Sequence, residues 1–264
     1  MKHILTCTSE ELGMIASICG FHGAAKEIME ASLGKRSDEQ WDAIAASTIN
    51  QLILKGYWDE EKSAKDENPF TEDMQQFITS YLNSRQLIHC ANLKDRNILM
   101  LHHIEKDSWL LHIIDRDIIH EFAYVEQQEI SNLINDYYHF SPKKDFFPLE
   151  LRLSNQCFDW LRIKEKIQTI RKESFFSTTE EHCFNQLIED LEENEWSINS
   201  ISIFHIPDLD GGSKLTNITF FIPSAHGVWV VKYEEHHEKP IHISLYNLEQ
   251  WYDLTKSIES FAIM

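Results

Sequence analysis

The sequence is poor in glycine and proline, with 8 and 6 of these residues among 264. So few glycines leave no glycine-rich loop that could hold a phosphate, and the GxGxxG, GxxxxGK[ST] and GxSxG patterns do not occur. Carboxylates are plentiful, but none falls in a recognisable acid–base arrangement. We therefore predict that the protein is not an enzyme and that it needs no cofactor.

Cysteine is also scarce, since the chain has five and no two of them form a CxxC pair. This spacing argues against zinc and disulfide frameworks, and it predicts the reduced thiols of a cytoplasmic protein. No apolar run approaches the roughly 18 residues of a membrane span, and we expect no secretion signal in Met1–Thr8. Adjacent histidines such as His102 and His103 would point to opposite faces of a strand, so we predict no metal site.

Positive charge is the scarcer sign, because 24 basic residues stand against 43 acidic ones and the net charge is −19. Such a field repels nucleic acid and anionic membranes, so we expect a protein partner and neither nucleic acid binding nor membrane insertion. The charge is unevenly distributed. Thr179–Glu195 carries seven acidic residues and no lysine or arginine, whereas Lys143–Lys172 carries eight basic residues. These two stretches could contact each other or a partner.

Hydrophobic periodicity predicts an α+β fold whose N-terminal half spans residues 1–140. Three short helices lie within residues 8–56, and capping boxes at Thr8 with Glu11 and at Ser37 with Gln40 begin the first and third of them. Residues 71–138 then predict a helix, an antiparallel meander of four strands and another helix.

The C-terminal half is predicted to repeat this pattern after a connector at residues 141–152. It spans residues 153–264 and begins with one helix over Ser154–Arg171. A second helix–meander–helix unit follows within residues 178–262, with a capping box at Thr178. We expect both halves to belong to one compact unit.

The two halves predict an internal duplication with a pseudo-two-fold axis. Trp109 aligns with Trp229 at an offset of 120 residues, and Tyr124 aligns with Tyr246 at 122. These aromatic residues are the predicted repeat anchors. Two quasi-equivalent halves would form a central sheet flanked by helical bundles, since one meander alone cannot cover its own apolar face. The alternative is that unrelated α+β proteins share such patterns.

The N-terminal region also resembles the start of a winged helix, because three helices precede Gly56–Asp59, where a wing strand would begin. A DNA-reading third helix needs lysine or arginine. Ser37–Leu54 has neither, so DNA binding is not predicted.

Short motifs resemble those of the EspG-like chaperones of type VII (ESX) secretion systems. They are Glu10-Glu11-Leu12, then "LILKGYWDEE" from Leu52, then "FTEDMQQFITSYLNSRQL" from Phe70, followed by the repeated half. The sequence departs from the family where Lys55-Gly56-Tyr57 replaces the usual Arg-Gly-Leu. The resemblance implies a cytoplasmic, non-catalytic chaperone or adaptor that binds a helical secretion substrate.

In that family the contacts involve a loop of the central sheet and the C-terminal helices. By position, the implied partner-binding residues are Asp208, Leu209, Asp210, Lys214, Trp251, Ile258 and Phe261. The alternative for the residues of the last helix is an ordinary apolar core. Two other functions stay open: an acidic immunity protein that neutralises a toxin, and a winged-helix regulator.

Overall fold

The computed structural model describes residues 1–92, 97–207 and 212–261. Within them the chain forms ten α-helices and ten β-strands, and the strands form an antiparallel sheet, so the predicted α+β class is confirmed. The chain divides into two compact units, which are described separately below. The first comprises the described residues of Met1–Leu87, Asn97–Glu126 and His205–Lys214, and the second those of Ile88–Arg96, Gln127–Phe204 and Leu215–Met264.

The first unit contains a helical region and most of the first meander. Its elements are β1 (Lys2–Thr8), α1 (Ser9–Ile18), α2 (His22–Leu33), α3 (Asp38–Leu54), α4 (Glu60–Ser63), α5 (Glu72–Leu82), the start of β2 (Gln86–Asn92), β3 (Asn97–Glu105), β4 (Ser108–Asp115) and β5 (Ile119–Glu126). The strand order here is β1-β5-β4-β3. The predicted capping boxes of Thr8 and Ser37 are confirmed at the starts of α1 and α3.

The core of the first unit lies between the sheet and helices α1 and α5. Phe77 of α5 meets Phe122 of β5 edge-on, with 5.0 Å between the ring centroids. Leu5 of β1, Leu12 of α1 and Leu110 of β4 are fully buried in the same cluster. Each such side chain stabilises the fold by about 1.5–3 kcal/mol relative to its exposed state.

The second unit contains the second meander and its helices. After the rest of β2, its elements are α6 (Ile130–Tyr138), β6 (Glu150–Leu153), α7 (Asn155–Asp159), α8 (Ile167–Ser174), α9 (Thr178–Glu193), β7 (Asn199–His205), β8 (Lys214–Ser224), β9 (Gly227–Tyr233), β10 (Ile241–Tyr246) and α10 (Leu248–Phe261). The strand order is β7-β8-β9-β10-β6. Its core packs α9 against Trp229, Ile243 and Leu245.

Two details of the second unit differ from the sequence prediction. The single helix expected over Ser154–Arg171 is broken into α7, two 3₁₀ turns and α8, and Ile163 between the turns is extended. Arg162 and Lys166 would have been like charges one helical turn apart, which disfavours a continuous helix. The cap of α9 is Ser177, one residue earlier than predicted, because its hydroxyl accepts the N–H of Glu180.

Two short strands, β1 and β6, were not predicted. The first lies in the segment before the first helix, and the second lies inside the expected connector at residues 141–152. Each pairs in antiparallel fashion with the last strand of a meander, β1 with β5 and β6 with β10. Strands that pair with distant parts of the sequence leave only a weak local signal. In β1 that signal is the two-residue spacing of Leu5 and Cys7, both of which are buried in the structure.

The expected boundary between halves, at residue 140, also differs from the division of the structure. Helix α6 belongs to the second unit, because Asn135 accepts the indole N–H of Trp251 at 2.8 Å. The Tyr138 hydroxyl likewise donates to the carbonyl of Ser200 at 3.1 Å. The first unit therefore ends at β5, before the helix that was assigned to it.

The wing strand of a winged helix is not present after α3. Gly56–Asp59 has no strand, and helices α4 and α5 follow it. The expected winged helix therefore lacks its wing strand at Gly56–Asp59, and the expectation is wrong.

Candidate functional site

The candidate site is built on α1, which contacts both α2 and α3. At its start the Glu11 carboxylate accepts the backbone N–H of Thr8 at 2.9 Å and the Lys55 ammonium at 2.7 Å. Glu11 is fully buried, and a buried carboxylate is tolerated only when it is paired. Since Lys55 caps the C-terminus of α3, this ion pair fixes that end of α3 to the first turn of α1.

A buried array of polar side chains holds α1 against the sheet. We call Ser9, Tyr81, His102, His112 and His120 the histidine array; Tyr81 is half-buried, and the other four are buried. The Ser9 hydroxyl lies 2.9 Å from Nε2 of His120, whose Nδ1 lies 2.8 Å from Nε2 of His112. The Tyr81 ring is edge-on to both His102 and His112.

All three imidazoles are neutral near pH 7. Burial lowers the pKa of His102 to about 3 and that of His120 to about 4, although the Glu10 carboxylate raises the latter slightly. Burial, followed by the two neighbouring histidines, also lowers the pKa of His112. The array is therefore a set of neutral hydrogen-bonding groups.

Hydrogen bonds join Ser9, His120 and His112 in one chain. The Ser9 hydroxyl lies 3.3 Å from the carbonyl of Ile118 and 2.9 Å from Nε2 of His120, whose Nδ1 lies 2.8 Å from Nε2 of His112. Nδ1 of His112, at the other end, has no hydrogen-bond partner in the described part of the chain. Ser9 is only 1% exposed, so the array anchors α1 and offers no accessible nucleophile.

An apolar groove opens above α1 between α2 and α3, and we call it the α1–α3 groove. Its volume is about 210 Å³. Its lining residues are Glu10, Met14, Ser17, Met29, Trp41, Asp42, Ile44, Ala45 and Thr48. On the α2 side the helices touch at Gly13, where an added Cβ would lie 2.4 Å from Cγ of Met29.

The groove exists because α3 packs unevenly along α1. In the second half of α3, Thr48 and Leu52 are buried, whereas Trp41 and Ile44 in the first half are only half-buried. Glu10 and Asp42 are the charged residues in the described lining, and both are acidic. The first turn of α3 adds Asp38 and Glu39 nearby in the sequence. The groove is therefore lined mainly by apolar side chains, and the charged residues in its described lining are acidic.

Two of the predicted partner-binding residues that the structure describes belong to the apolar core. Trp251 and Ile258 are 1% and 4% exposed, so they belong to the core, which was the alternative interpretation. Lys214 is exposed at the start of β8, which pairs with β9 only from Phe220 onward. Asp208, Leu209, Asp210 and the side chain of Phe261 lie outside the described residues.

The predicted repeat anchors are not equivalent in the structure. Trp229 donates its indole N–H to Asp190 of α9 at 2.7 Å, so it faces the helix that precedes its meander. In the first unit Leu110 packs with α5, so Trp109, its neighbour on β4, points to the opposite face. Trp109 and Trp229 therefore lie on opposite faces relative to the helix that precedes each meander, so they are not the equivalent anchors that the alignment at an offset of 120 residues predicted.

The predicted tyrosine anchors, Tyr124 and Tyr246, likewise point to different faces of their strands. Tyr124 pairs with Leu110 across β4 and β5, and Trp229 pairs with Leu245 across β9 and β10. Tyr124 therefore lies on the same face as Leu110, and Leu245 lies on the same face as Trp229. Tyr246 is the next residue along the strand and points to the other face.

The acidic and basic stretches contact each other within the second unit. Arg171 pairs with Glu181, and Nζ of Lys164 lies 2.5 Å from Oε1 of Glu192. The sequence left open whether these stretches contact each other or a partner. The ion pairs favour contact with each other, because they already pair part of the acidic surface of α9.

Two larger pockets occupy matching places in the two units. One, of about 630 Å³, lies beside β1, α5 and β5, and the other, of about 570 Å³, lies beside β6, α9 and β10. The first is lined by Tyr57 and Tyr124, and the second by Cys183 and Tyr246. Their matching positions add to the similarity between the units.

The described ranges lack two other features, a cluster of metal-ligating side chains and a membrane-spanning helix. Residues 1–92, 97–207 and 212–261 contain no group of three histidine, cysteine or acidic side chains that could hold a metal ion. In the same ranges no helix combines the length and apolar character needed to cross a membrane.

The fold and the groove define an α+β protein with a candidate docking site. The sequence matches the model of a family described as "Uncharacterised protein YfjC" over residues 19–250. Because this match covers most of the chain, the protein belongs to that family. No curated protein matches the sequence.

Proposed function

We propose that the protein is a non-catalytic cytoplasmic binding protein that holds a helical segment of a protein partner. The observation that carries this proposal is the α1–α3 groove. Trp41 and Ile44 leave apolar surface half-exposed on a chain with a net charge of −19. Apolar side chains that stay accessible in a groove can receive the apolar face of a helix.

The size of the groove favours side-chain anchors over a small molecule. Its volume of about 210 Å³ lies below the roughly 300–1,000 Å³ of small-molecule pockets. A few apolar side chains from one face of a helix would fill it, as in helix-in-groove recognition. Central apolar anchors of this kind carry most of the binding energy of such interfaces.

We further propose that the partner is a helical secretion substrate of a type VII (ESX-like) system, which makes the protein an EspG-like chaperone or adaptor. This step rests on the sequence resemblance. One contact is consistent with it, because the Glu11–Lys55 ion pair joins the two short motifs that carry the resemblance. A chaperone would cover the apolar helix face of the substrate until export.

An internal duplication accounts best for the arrangement of the elements. Both halves run from a flanking strand through helices to a meander and a final helix, and each flanking strand pairs with the last strand of its meander. The matching pockets support the same proposal. With Leu110 aligned to Trp229, each half places an apolar residue of the third meander strand against its preceding helix.

An acidic immunity protein is the second candidate, and the net charge favours it. Such a protein would bind a basic toxin surface chiefly through charge, so added salt should weaken the complex steeply. A chaperone that binds through apolar anchors should lose much less affinity.

Co-purification from the native host tests the proposal. Tagged wild-type protein should recover a small helical secreted protein, and Ile44→Asp should lose it. Leu54→Asp is the matched control, because Leu54 lies on the same helix, is 86% exposed and is outside the groove. Retention of the partner by Ile44→Asp would refute the groove as its site, and recovery of a toxin instead would favour the immunity protein.

A further inference from the structure

We infer that the α1–α3 groove selects an amphipathic helix whose apolar stripe is flanked by lysine or arginine. This inference rests on the proposed function and specifies the chemistry of the partner. Its basis is charge complementarity, because the charged residues that line the groove, Glu10 of α1 and Asp42 of α3, are both acidic.

The spacing of the lining residues on α3 matches a helical partner. Trp41, Ala45 and Thr48 lie at positions i, i+4 and i+7 of α3, with Ile44 on the same face. This stripe spans about 10 Å, or two helical turns. A partner helix laid along it would place two or three apolar residues in the groove, at the i, i+3 or i+4, and i+7 positions.

Charge decides which amphipathic helices are accepted. Basic residues beside the apolar stripe would approach Glu10 and Asp42, whereas acidic residues there would be repelled. Charges at the rim of an interface act mainly on specificity and on the association rate, and salt screens them. Asp38 and Glu39, in the first turn of α3, extend the acidic field toward an approaching helix. The apolar anchors supply the affinity, and the acidic residues select the partner.

Two designed helical peptides test this inference on the full chain. Both carry the same leucine stripe, flanked in one by lysine and in the other by glutamate, and fluorescence anisotropy measures their binding at low and high salt. The lysine-flanked peptide should bind at least about tenfold more tightly at low salt, and the difference should shrink at high salt.

A charge-reversal pair ties the effect to the groove. Asp42→Lys should weaken binding of the lysine-flanked peptide by about five- to tenfold. Glu61→Lys makes the same change of charge at an exposed residue of α4 that does not line the groove, so it should have a clearly smaller effect.

The outcomes separate this inference from the proposed function. Equal binding of both peptides, lost in Ile44→Asp, would overturn the charge selection and leave the groove as a helix site. Binding of neither peptide, with a helical protein still recovered from the host, would overturn the groove and retain the binding function. If neither peptide binds and the host yields no helical partner, both proposals fail.

Discussion

Acid should destabilise the first unit through the histidine array, and His120→Asn should remove roughly a third of this effect, because three buried imidazoles share it. His120 is buried and neutral, with hydrogen bonds to Ser9 and His112 at 2.9 and 2.8 Å. Its folded-state pKa of about 4 lies below the unfolded value of 6.5. Between these two values the unfolded chain therefore binds more protons than the folded chain.

The sign and size follow from proton linkage. The free energy of unfolding is highest above pH 6.5 and falls as the pH drops toward 4, below which His120 is protonated in both states. The change is about 1.4 kcal/mol for each pH unit, so His120 alone accounts for roughly 3 kcal/mol. This is a large share of the about 5–15 kcal/mol that stabilises a typical domain.

Hydrogen–deuterium exchange of β4 and β5 at several pH values between 7 and 4.5 measures this effect in the first unit itself. Wild-type protein should lose protection as the pH falls. His120→Asn should be less protected at pH 7, because the hydrogen-bond chain is cut, but it should show a shallower decline. His22→Asn, at an exposed histidine, should follow the wild type. Parallel declines in the wild type and His120→Asn would refute the reasoning.

Three further tests, which use five substitutions, probe particular contacts by chemical denaturation. Trp229→Phe should cost about 1–2 kcal/mol more than Trp109→Phe, because it removes one of the hydrogen bonds to the buried carboxylate of Asp190, whereas the indole N–H of Trp109 has no hydrogen-bond partner in the described part of the chain. Gly13→Ala should cost about 1–3 kcal/mol through its clash with α2, while Gly23→Ala, which has free space around it, should be neutral or slightly stabilising. Lys55→Met should cost about 1–3 kcal/mol, because it removes the cation paired with a buried carboxylate. Equal losses within the tryptophan or glycine pair, or no loss for the lysine, would contradict these assignments.

The meanders and most helices could be predicted because their signals are local. The capping boxes of Thr8 and Ser37 and the alternating strands of both meanders needed no knowledge of distant contacts. Strands β1 and β6 could not be found in this way. Their partners are distant in the sequence, and only the sheet determines that they are strands at all.

Residues that depend on register were harder to predict. The tryptophan alignment at an offset of 120 matched identical letters, but a slip of one residue moves a side chain to the other face of a strand. Only the packing of Leu110 against α5 reveals that Trp109 points to the other face.

The candidate site depended on similar information. His112 and His120 are eight residues apart and meet only through the hairpin between β4 and β5. Gly13 and Trp41 read as ordinary helix positions. Their roles follow from the way α2 and α3 pack against α1, and the local sequence does not encode that packing.

The most direct test of the account is a charge swap across the groove. Wild-type protein and Asp42→Lys are each titrated with the lysine-flanked and the glutamate-flanked helix. We predict that Asp42→Lys lowers the preference for the lysine-flanked helix by about five- to tenfold, to near parity, because one of the two acidic lining residues has changed sign. If both proteins rank the two helices in the same order, with the same ratio of affinities, the groove does not recognise its partner through Asp42 and the account is contradicted.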